Sequence, residues 1–236
     1  MNYIEGVFIE ECNNRFLAWV LVNGVEELSY VPSSAKLSNF LKMEGKNVLL
    51  QQNSKPGRTK YTIVAAKLDE RYYIYLHLNN INNLLKAYIE KNNKIDIELE
   101  KSLYWGYRAD LKVNEPYDII FEAKGIISDE KAIVFPKVCG DRAYKQLRDF
   151  SKALSENFKV IYCLVLMSPT IEKISINKQD AKYLKAMIEC LAAGMKIKVF
   201  EISKNEHEFV CDYNCEMTKQ IEDEVYKIQT DFKRRK

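Results

Sequence analysis

Apolar residues in the first third of the chain occur in short runs that are separated by turn-forming residues. Asn23 and Gly24, between two of these runs, are a strong signal for a tight β-hairpin. A short helical segment is predicted at residues 35–41. The runs that we predict to be strands are residues 7–9, 16–22, 25–31, 47–52, 59–68 and 71–78. Five or six short strands with one small helix predict a compact β-barrel of the OB type over residues 1–80.

Beyond residue 80 the pattern alternates between helical stripes and apolar runs typical of strands. We predict helices at residues 82–91, 141–155 and 177–194, and strands at residues 103–113, 118–124, 132–135, 160–167 and 195–202. Connections through helices imply right-handed crossovers and parallel neighbouring strands. These elements predict an α/β domain with a mixed central sheet over residues 81–236. Its part from about residue 203 is a C-terminal extension.

Charged residues interrupt the apolar pattern of two consecutive predicted strands. Asp110 lies on the same face of its strand as Arg108, and Glu122 and Lys124 lie on one side of the next strand. Turn-forming residues at 114–116 predict a hairpin, which would place Asp110 diagonal to Glu122, at most roughly 7–8 Å away. Two carboxylates and an ammonium would then share one patch of the sheet, and a bound hard cation would offset the cost of burying them.

A ladder of ion pairs on a solvated sheet face is the alternative interpretation of these charges. Residues 119–121, immediately before Glu122, are all apolar. Such a run favours a strand that is covered on both faces. We therefore favour a functional site over a solvated ladder.

The same residues carry a resemblance to a known family. The motifs Arg108-x-Asp110, Glu122-x-Lys124, Phe135-Pro136 and Arg142-x-x-Lys145-x-Leu147 resemble the sugar fermentation stimulation protein family, over roughly residues 1–201. That family pairs an OB-like N-terminal domain with a C-terminal domain of the PD-(D/E)xK nuclease type. The order of predicted elements, from helix through three strands to helix, strand, helix and strand, agrees with the nuclease core and one added unit.

The resemblance implies a role for each residue of the central hairpin. Asp110, Glu122 and the main-chain carbonyl of Ala123 would bind Mg²⁺ or Mn²⁺, and Asp110, Glu122 and Lys124 would be catalytic. Lys124 would orient or deprotonate the attacking water, or would stabilise the transition state as a cation; the sequence leaves both roles open.

Five basic residues are candidates for contacts with nucleic acid. Barrels of the OB type often bind single strands through aromatic and basic side chains, and Arg58 and Lys60 would supply positive charge there. Arg108, Arg142 and Lys145 lie near the predicted metal site, and the last two follow it on a helix. The alternatives are a solvated basic helix face and barrel tyrosines that only pack in its wall.

Several positions differ from the family pattern. Lys86 and Ala87 stand where an acidic residue is usual on the first helix, and Glu90 is a candidate substitute one turn later. Lys137 replaces an Asp and Gln146 a His. The Asn-Thr-Gly that usually follows the proline near residue 32 is Ser-Ser-Ala at residues 33–35.

Composition limits the cellular setting. The formal net charge of the 236 residues is only +3, so any basic surface must be local. Six scattered cysteines do not suggest a disulfide framework, and no membrane span or signal peptide is evident. We expect a cytoplasmic protein whose partner is DNA or RNA; a homodimer is left open. His207, Cys211 and Cys215 have loose metal-ligand spacing, but free thiols are the preferred interpretation.

Two functional hypotheses follow. The first is a metal-dependent nuclease, a phosphodiesterase that hydrolyses DNA or RNA with little sequence specificity. The second is a non-catalytic, non-specific DNA-binding protein with a regulatory role in sugar metabolism, which the family resemblance also implies. The altered residues at positions 86, 87, 137 and 146 favour the second hypothesis, and the intact Asp110, Glu122 and Lys124 favour the first.

Overall fold

The N-terminal strands close into a barrel. The computed structural model describes residues 3–33, 36–55, 57–114 and 116–234, without the side chain of residue 233. Its strands are β1 Ile4–Glu11, β2 Leu17–Val22, β3 Val25–Tyr30, β4 Asn47–Gln52, β5 Tyr61–Lys67 and β6 Tyr73–Tyr75. Five of them run in the order β3-β2-β1-β4-β5, and pairing of β3 with β5 closes them, with β6 added beside β5. The predicted OB-like barrel is confirmed.

The predicted short helix before β4 is a single 3₁₀ turn, Leu37–Asn39. Glu11 holds its start, because its carboxylate accepts the backbone N–H groups of Leu37 (2.5 Å) and Ser38 (2.9 Å). Residues 34 and 35, where the family motif is altered, lie outside the described residues. So do residue 115 in the central turn and residues 235 and 236 of the basic end.

The second part of the chain forms a mixed sheet with helices, as the predicted fold class requires. The bounds are α1 Ile81–Asn93, β7 Glu98–Ser102, β8 Arg108–Val113, β9 Ile119–Ile126, β10 Ala132–Phe135, α2 Asp141–Ser155, β11 Lys159–Leu166, β12 Lys173–Ile176, α3 Ala181–Ala192, β13 Lys196–Lys204, β14 Phe209–Tyr213 and α4 Cys215–Arg234. The strand order in the sheet is β14-β13-β11-β9-β8-β7; the pairs β9–β11 and β11–β13 are parallel, and the others are antiparallel. Among the described helices, none is both long and apolar enough to cross a membrane.

The predicted strand at residues 103–113 is wrong in its first half. A tight turn occupies residues 103–107, in which Gly106 has a φ of 85° and Leu103 N–H donates to Tyr107 O (2.7 Å). This turn joins β8 to β7, a strand that the apolar pattern did not reveal because its side chains are mostly exposed. The predicted strand at 132–135 exists as β10, but it pairs in parallel with β12 in a separate two-stranded sheet.

The third large helix begins later than predicted. Asp180, not Asn177, caps α3, since its Oδ1 accepts the backbone N–H of Tyr183 (2.9 Å). Asn177 instead donates its side-chain amide to the carbonyl of Pro136 (2.9 Å). Asn177 therefore joins the end of β12 to the end of β10.

Two hydrophobic clusters lie on opposite faces of the mixed sheet. On β11, Cys163 and Val165 belong to a cluster shared with α1 and the barrel, whereas Tyr162 and Leu164 belong to one shared with α2, α3 and α4. All four are buried, as predicted for residues 160–167. Because Glu122 pairs with Tyr162 in the β9–β11 register, its side chain lies on the face covered by α2 and α3.

Candidate functional site

Asp110 and Glu122 lie on neighbouring strands, immediately beyond the last pair of the ladder between β8 and β9. That antiparallel ladder pairs Val113 with Ile119, Lys112 with Ile120 and Leu111 with Phe121. Beyond it, β9 is joined to β8 through a side chain, because the backbone N–H of Ala123 donates to the carboxylate of Asp110. The predicted hairpin therefore brings the two carboxylates to neighbouring positions on the two strands.

Glu122 is a buried carboxylate, 6% exposed, with three side-chain donors. Tyr107 donates its hydroxyl to Oε2 (2.5 Å), Lys124 Nζ lies 3.2 Å from Oε1, and Gln146 donates its amide to the same Oε1. Burial, and next the charge of Asp110, raise the pKa of Glu122 above its usual value, although Lys124 and Tyr107 act in the opposite direction. Burial beside Glu122 also raises the pKa of Tyr107, which therefore stays a neutral donor.

Asp110 is half-buried and is held by an amide on each side-chain oxygen. The backbone N–H of Ala123 donates to Oδ2 (2.8 Å), and the side chain of Asn82 donates to Oδ1 (3.3 Å). Asn82 lies in the first turn of α1. Close packing of α1 on β9 is possible because residue 125 is glycine: a Cβ there would lie 2.6 Å from Ile81 Cδ1.

The acidic substitute predicted on α1 is not at this site. Glu90 accepts the backbone N–H of Ile97 (3.2 Å) and pairs with Lys86 (3.3 Å), whose Nζ also donates to Ile97 O. The side chains of Glu90 and Lys86 are therefore both held at Ile97, the residue that precedes β7. The α1 residue that contacts Asp110 is the amide Asn82.

A cleft of about 340 Å³ opens over the carboxylates of Asp110 and Glu122, and we call it the acidic cleft. One face of α2 lines it, because residues three, four and seven positions apart lie on the same side of a helix. The residues that line the cleft are Glu100, Tyr107, Arg108, Asp110, Glu122, Arg142, Lys145, Gln146 and Asp149. The structure thus brings three of the five predicted nucleic-acid contacts to the candidate metal ligands, and Lys124 contacts Glu122 from the same strand.

Arg58, Lys60 and Lys137 lie elsewhere. Arg58 and Lys60 follow β4 in the barrel, outside this cleft, and Lys60 is already paired with Glu27 (3.2 Å). Lys137 lines a different cavity of about 700 Å³ beside β10 and β12. Arg108 lines the acidic cleft, but its guanidinium is paired with Glu100.

The comparisons with known proteins agree with this architecture. The family model described as "Sugar fermentation stimulation protein RE domain" matches residues 75–208, which is more than half of the chain. The chain belongs to the sugar fermentation stimulation protein family. Three relatives, all described as sugar fermentation stimulation protein homologs, are 24–27% identical to it.

The relatives match this chain over most of their length. The protein of Caldanaerobacter subterraneus subsp. tengcongensis is 24% identical over 86% of this chain and 92% of its own, and that of Caldivirga maquilingensis 26% over 85% and 88%. The Clostridium beijerinckii protein is 27% identical over 77% and 81%. A solved structure of Pyrococcus furiosus SfsA in complex with Ca²⁺ matches 90% of this chain and 94% of its own, with 17% identity and a TM-score of 0.75. At that identity the match establishes the shared fold.

Sequence reasoning misses or doubts four residues of the site in this family member. It places Tyr107 in a strand, treats Gln146 as a departure from the family pattern, and gives no role to Asn82 or Asp149. The apolar alternation around Tyr107 is the sequence signal that could have indicated its role. It suggests burial, and a buried tyrosine usually needs a hydrogen-bond partner for its hydroxyl. No signal indicates Asn82, because its contact depends on how α1 packs against β9.

Proposed function

We propose that this protein is a metal-dependent nuclease that hydrolyses phosphodiester bonds of DNA or RNA with little sequence preference. The observation that supports the proposal is that Asp110 and Glu122, the latter in contact with Lys124, line one cleft together with Arg142 and Lys145. Two carboxylates with one neighbouring ammonium suit a divalent cation, and two arginine or lysine side chains on the rim suit a phosphate backbone.

The candidate ligands suit Mg²⁺ or Mn²⁺, which keep bound waters, better than a metal ion whose ligands all come from protein side chains. Within the described ranges no group of three His, Cys, Asp or Glu side chains converges, so the protein would supply Asp110, Glu122 and the main-chain carbonyl of Ala123. Mg²⁺ is usually bound by one or two carboxylates and keeps several waters. Such a cation lowers the pKa of a bound water and neutralises charge that develops on the phosphate. The Pyrococcus furiosus protein, which shares this fold, was solved in complex with Ca²⁺, and this supports a divalent cation here.

The surrounding residues orient the two carboxylates. Tyr107 and Gln146 fix the plane of Glu122, and Asn82 and the Ala123 amide fix that of Asp110. Such partners hold ligands in one orientation and so reduce the reorganisation that binding requires.

Lys124 is the third catalytic residue, and it supplies an amino group beside the two carboxylates. It contacts Glu122 Oε1 (3.2 Å), and its side chain keeps about a third of its surface exposed. From there it can accept or donate a proton at the attacking water, or stabilise negative charge on the phosphate as a cation. Arg142 and Lys145 are both exposed on α2. They would bind the phosphates of the nucleic-acid strand.

The proposal is tested by incubating the protein with labelled single- and double-stranded DNA and RNA, with Mg²⁺ or Mn²⁺ and with chelator. We expect cleavage only with metal, and loss of both cleavage and Mn²⁺ binding in Asp110→Asn. Cleavage that survives chelator or the Asp110→Asn change would contradict the assignment.

One observation favours the second hypothesis, binding without cleavage. Lys86 and Ala87 stand where an acidic residue is usual on the first helix, and the α1 side chain that contacts Asp110 is the amide of Asn82, so the site has two carboxylate ligands. If the protein binds DNA but cuts no substrate with either metal, the function is that of a non-specific DNA-binding protein.

A further inference from the structure

A group of planar side chains lies exposed on the outer wall of the barrel. Phe16, just before β2, is 37% exposed, and its ring lies 6.4 Å from that of Tyr30 at an angle of 27°. The guanidinium of Arg15 lies 4.6 Å from the centre of the Phe16 ring. Asn79 donates its side-chain amide to the hydroxyl of Tyr30 (3.2 Å). We call Arg15, Phe16, Tyr30 and Asn79 the Phe16–Tyr30 patch.

This patch contributes little to the core of the barrel. Arg15, Phe16 and Asn79 are exposed or nearly so, and Arg15 forms no ion pair with a carboxylate in the described part of the chain. Exposed aromatic rings and arginine guanidinium groups bind single-stranded nucleic acid, because every base can stack on them. In barrels of the OB type the face of the second and third strands is the one that binds oligonucleotides.

The start of α1 lies between the patch and the acidic cleft. Asn79, in the 3₁₀ turn Leu78–Asn80, contacts Tyr30, and Asn82, three residues later in the first turn of α1, contacts Asp110 (3.3 Å). Residues three apart in a helical segment lie roughly 5–6 Å from each other. The patch is therefore near enough to Asp110 for one nucleic-acid strand to reach both.

We propose that the Phe16–Tyr30 patch binds the bases of a single-stranded segment of DNA or RNA next to the phosphate that is held in the cleft. This inference rests on the proposed function, because it assigns that site its substrate class. The charge of Arg15 complements the phosphates, and stacking on Phe16 and Tyr30 requires an unpaired base. The protein therefore prefers single strands, or duplexes with a single-stranded end, to blunt duplexes.

The test is the affinity of the full chain for an oligothymidine and for a blunt duplex of equal length, measured by fluorescence anisotropy with chelator so that no strand is cut. Phe16→Ala should weaken binding of the single strand by roughly 5- to 150-fold, the scale of one lost base stack. Binding of the duplex should change little. Phe16→Trp should retain the affinity, because it keeps a planar ring. Tyr226→Ala is the matched control, since Tyr226 is a 71% exposed tyrosine on α4, and it should bind as the wild type does.

A second measurement locates the contact on the strand. Replacing single bases by 2-aminopurine should give fluorescence quenching at a few positions on one side of the bound phosphate, and Phe16→Ala should abolish it. If Phe16→Ala does not fold, Arg15→Ala, at an exposed residue, takes its place with the same expected direction.

The outcomes separate this inference from the proposed function. If wild type binds the single strand and Phe16→Ala binds it equally well, the patch assignment is wrong and the nuclease proposal is unaffected. Equal weakening for single strand and duplex would also contradict the assignment. If wild type binds neither nucleic acid, both proposals are wrong.

Discussion

Glu122 combines burial with three side-chain donors, and these act on its ionisation in opposite directions. Burial and the opposing charge of Asp110 favour the protonated carboxyl, whereas Lys124 and Tyr107 favour the carboxylate. The net result is a raised pKa, so ionising Glu122 is less favourable in the folded protein than in the unfolded chain. A cation bound beside the two carboxylates would favour the ionised form.

The raised pKa of Glu122 predicts how stability depends on pH. A carboxyl whose pKa is higher in the folded state is destabilising once ionised. Its penalty is therefore absent below the usual glutamate pKa and grows as the pH rises through the raised value. With chelator present, Glu122→Gln should lose less stability than wild type as the pH rises over that window. Thermal unfolding at a series of pH values measures this. Parallel curves for the two proteins would show that Glu122 is not shifted.

At the scale of elements, α2 sets which basic side chains reach the cleft. Arg142, Lys145, Gln146 and Asp149 line the cleft, whereas Arg148, on the same helix, is exposed outside it. The periodicity of the helix thus separates basic residues that can contact a bound phosphate from those that cannot.

This separation predicts the salt dependence of binding. Arg142→Ala and Lys145→Ala should each weaken nucleic-acid binding and reduce the log–log salt slope by about 0.7–0.9, the value of one phosphate contact. Arg148→Ala is the control on the same helix and should leave the slope unchanged. The measurement is affinity against salt concentration with chelator present. Equal effects of all three changes would show that only the total charge of α2 matters.

The sequence predicted those elements whose side chains follow one period. The strands β8 and β9 and helix α2 carry alternating or helical apolar stripes, so their charged residues could be placed on faces in advance. Strand β7 has mostly exposed side chains and no such stripe, and the turn at Gly106 could not be distinguished from a continuing strand. The register of the hairpin closes with Val113 opposite Ile119, and the turn residues alone do not define that pair.

The contacts between side chains of different elements could not be predicted from the sequence for a different reason. Asn82 contacts Asp110 across the packing of α1 on the sheet, and Gln146 contacts Glu122 across the packing of α2 on the opposite face. Both contacts depend on packing over long sequence separations. A pattern along the chain contains no information about such distances.

The barrel and the mixed sheet share one hydrophobic cluster. Tyr75 at the end of β6 packs against Phe209 of β14, with ring centres 4.7 Å apart, and its backbone N–H donates to the carbonyl of Met167 (2.7 Å). These contacts fix the barrel against the sheet. The Phe16–Tyr30 patch and the acidic cleft are therefore held at a defined separation, as a single bound strand would require.

If the acidic cleft cuts the nucleic-acid strand that it binds, Lys124→Ala should separate cutting from binding. The change removes an ammonium but leaves Asp110 and Glu122, so the fold and Mn²⁺ binding should persist. Lys159→Ala, at an exposed lysine at the start of β11, is the control. Cleavage rate and affinity are measured for the same labelled DNA and RNA, with Mn²⁺ for cleavage and with chelator for binding.

We predict that Lys124→Ala lowers the rate of cleavage by a factor of roughly 10² or more, the usual effect of losing a proton-transfer or electrostatic group, while its affinity falls only by the equivalent of one phosphate contact. Lys159→Ala should cut as the wild type does. If Lys124→Ala cuts as fast as wild type, Lys124 is not catalytic and the site is wrongly assigned. If wild type cuts no substrate with Mg²⁺ or Mn²⁺ although all three proteins bind DNA alike, the protein binds nucleic acid without cleaving it and the nuclease proposal is wrong.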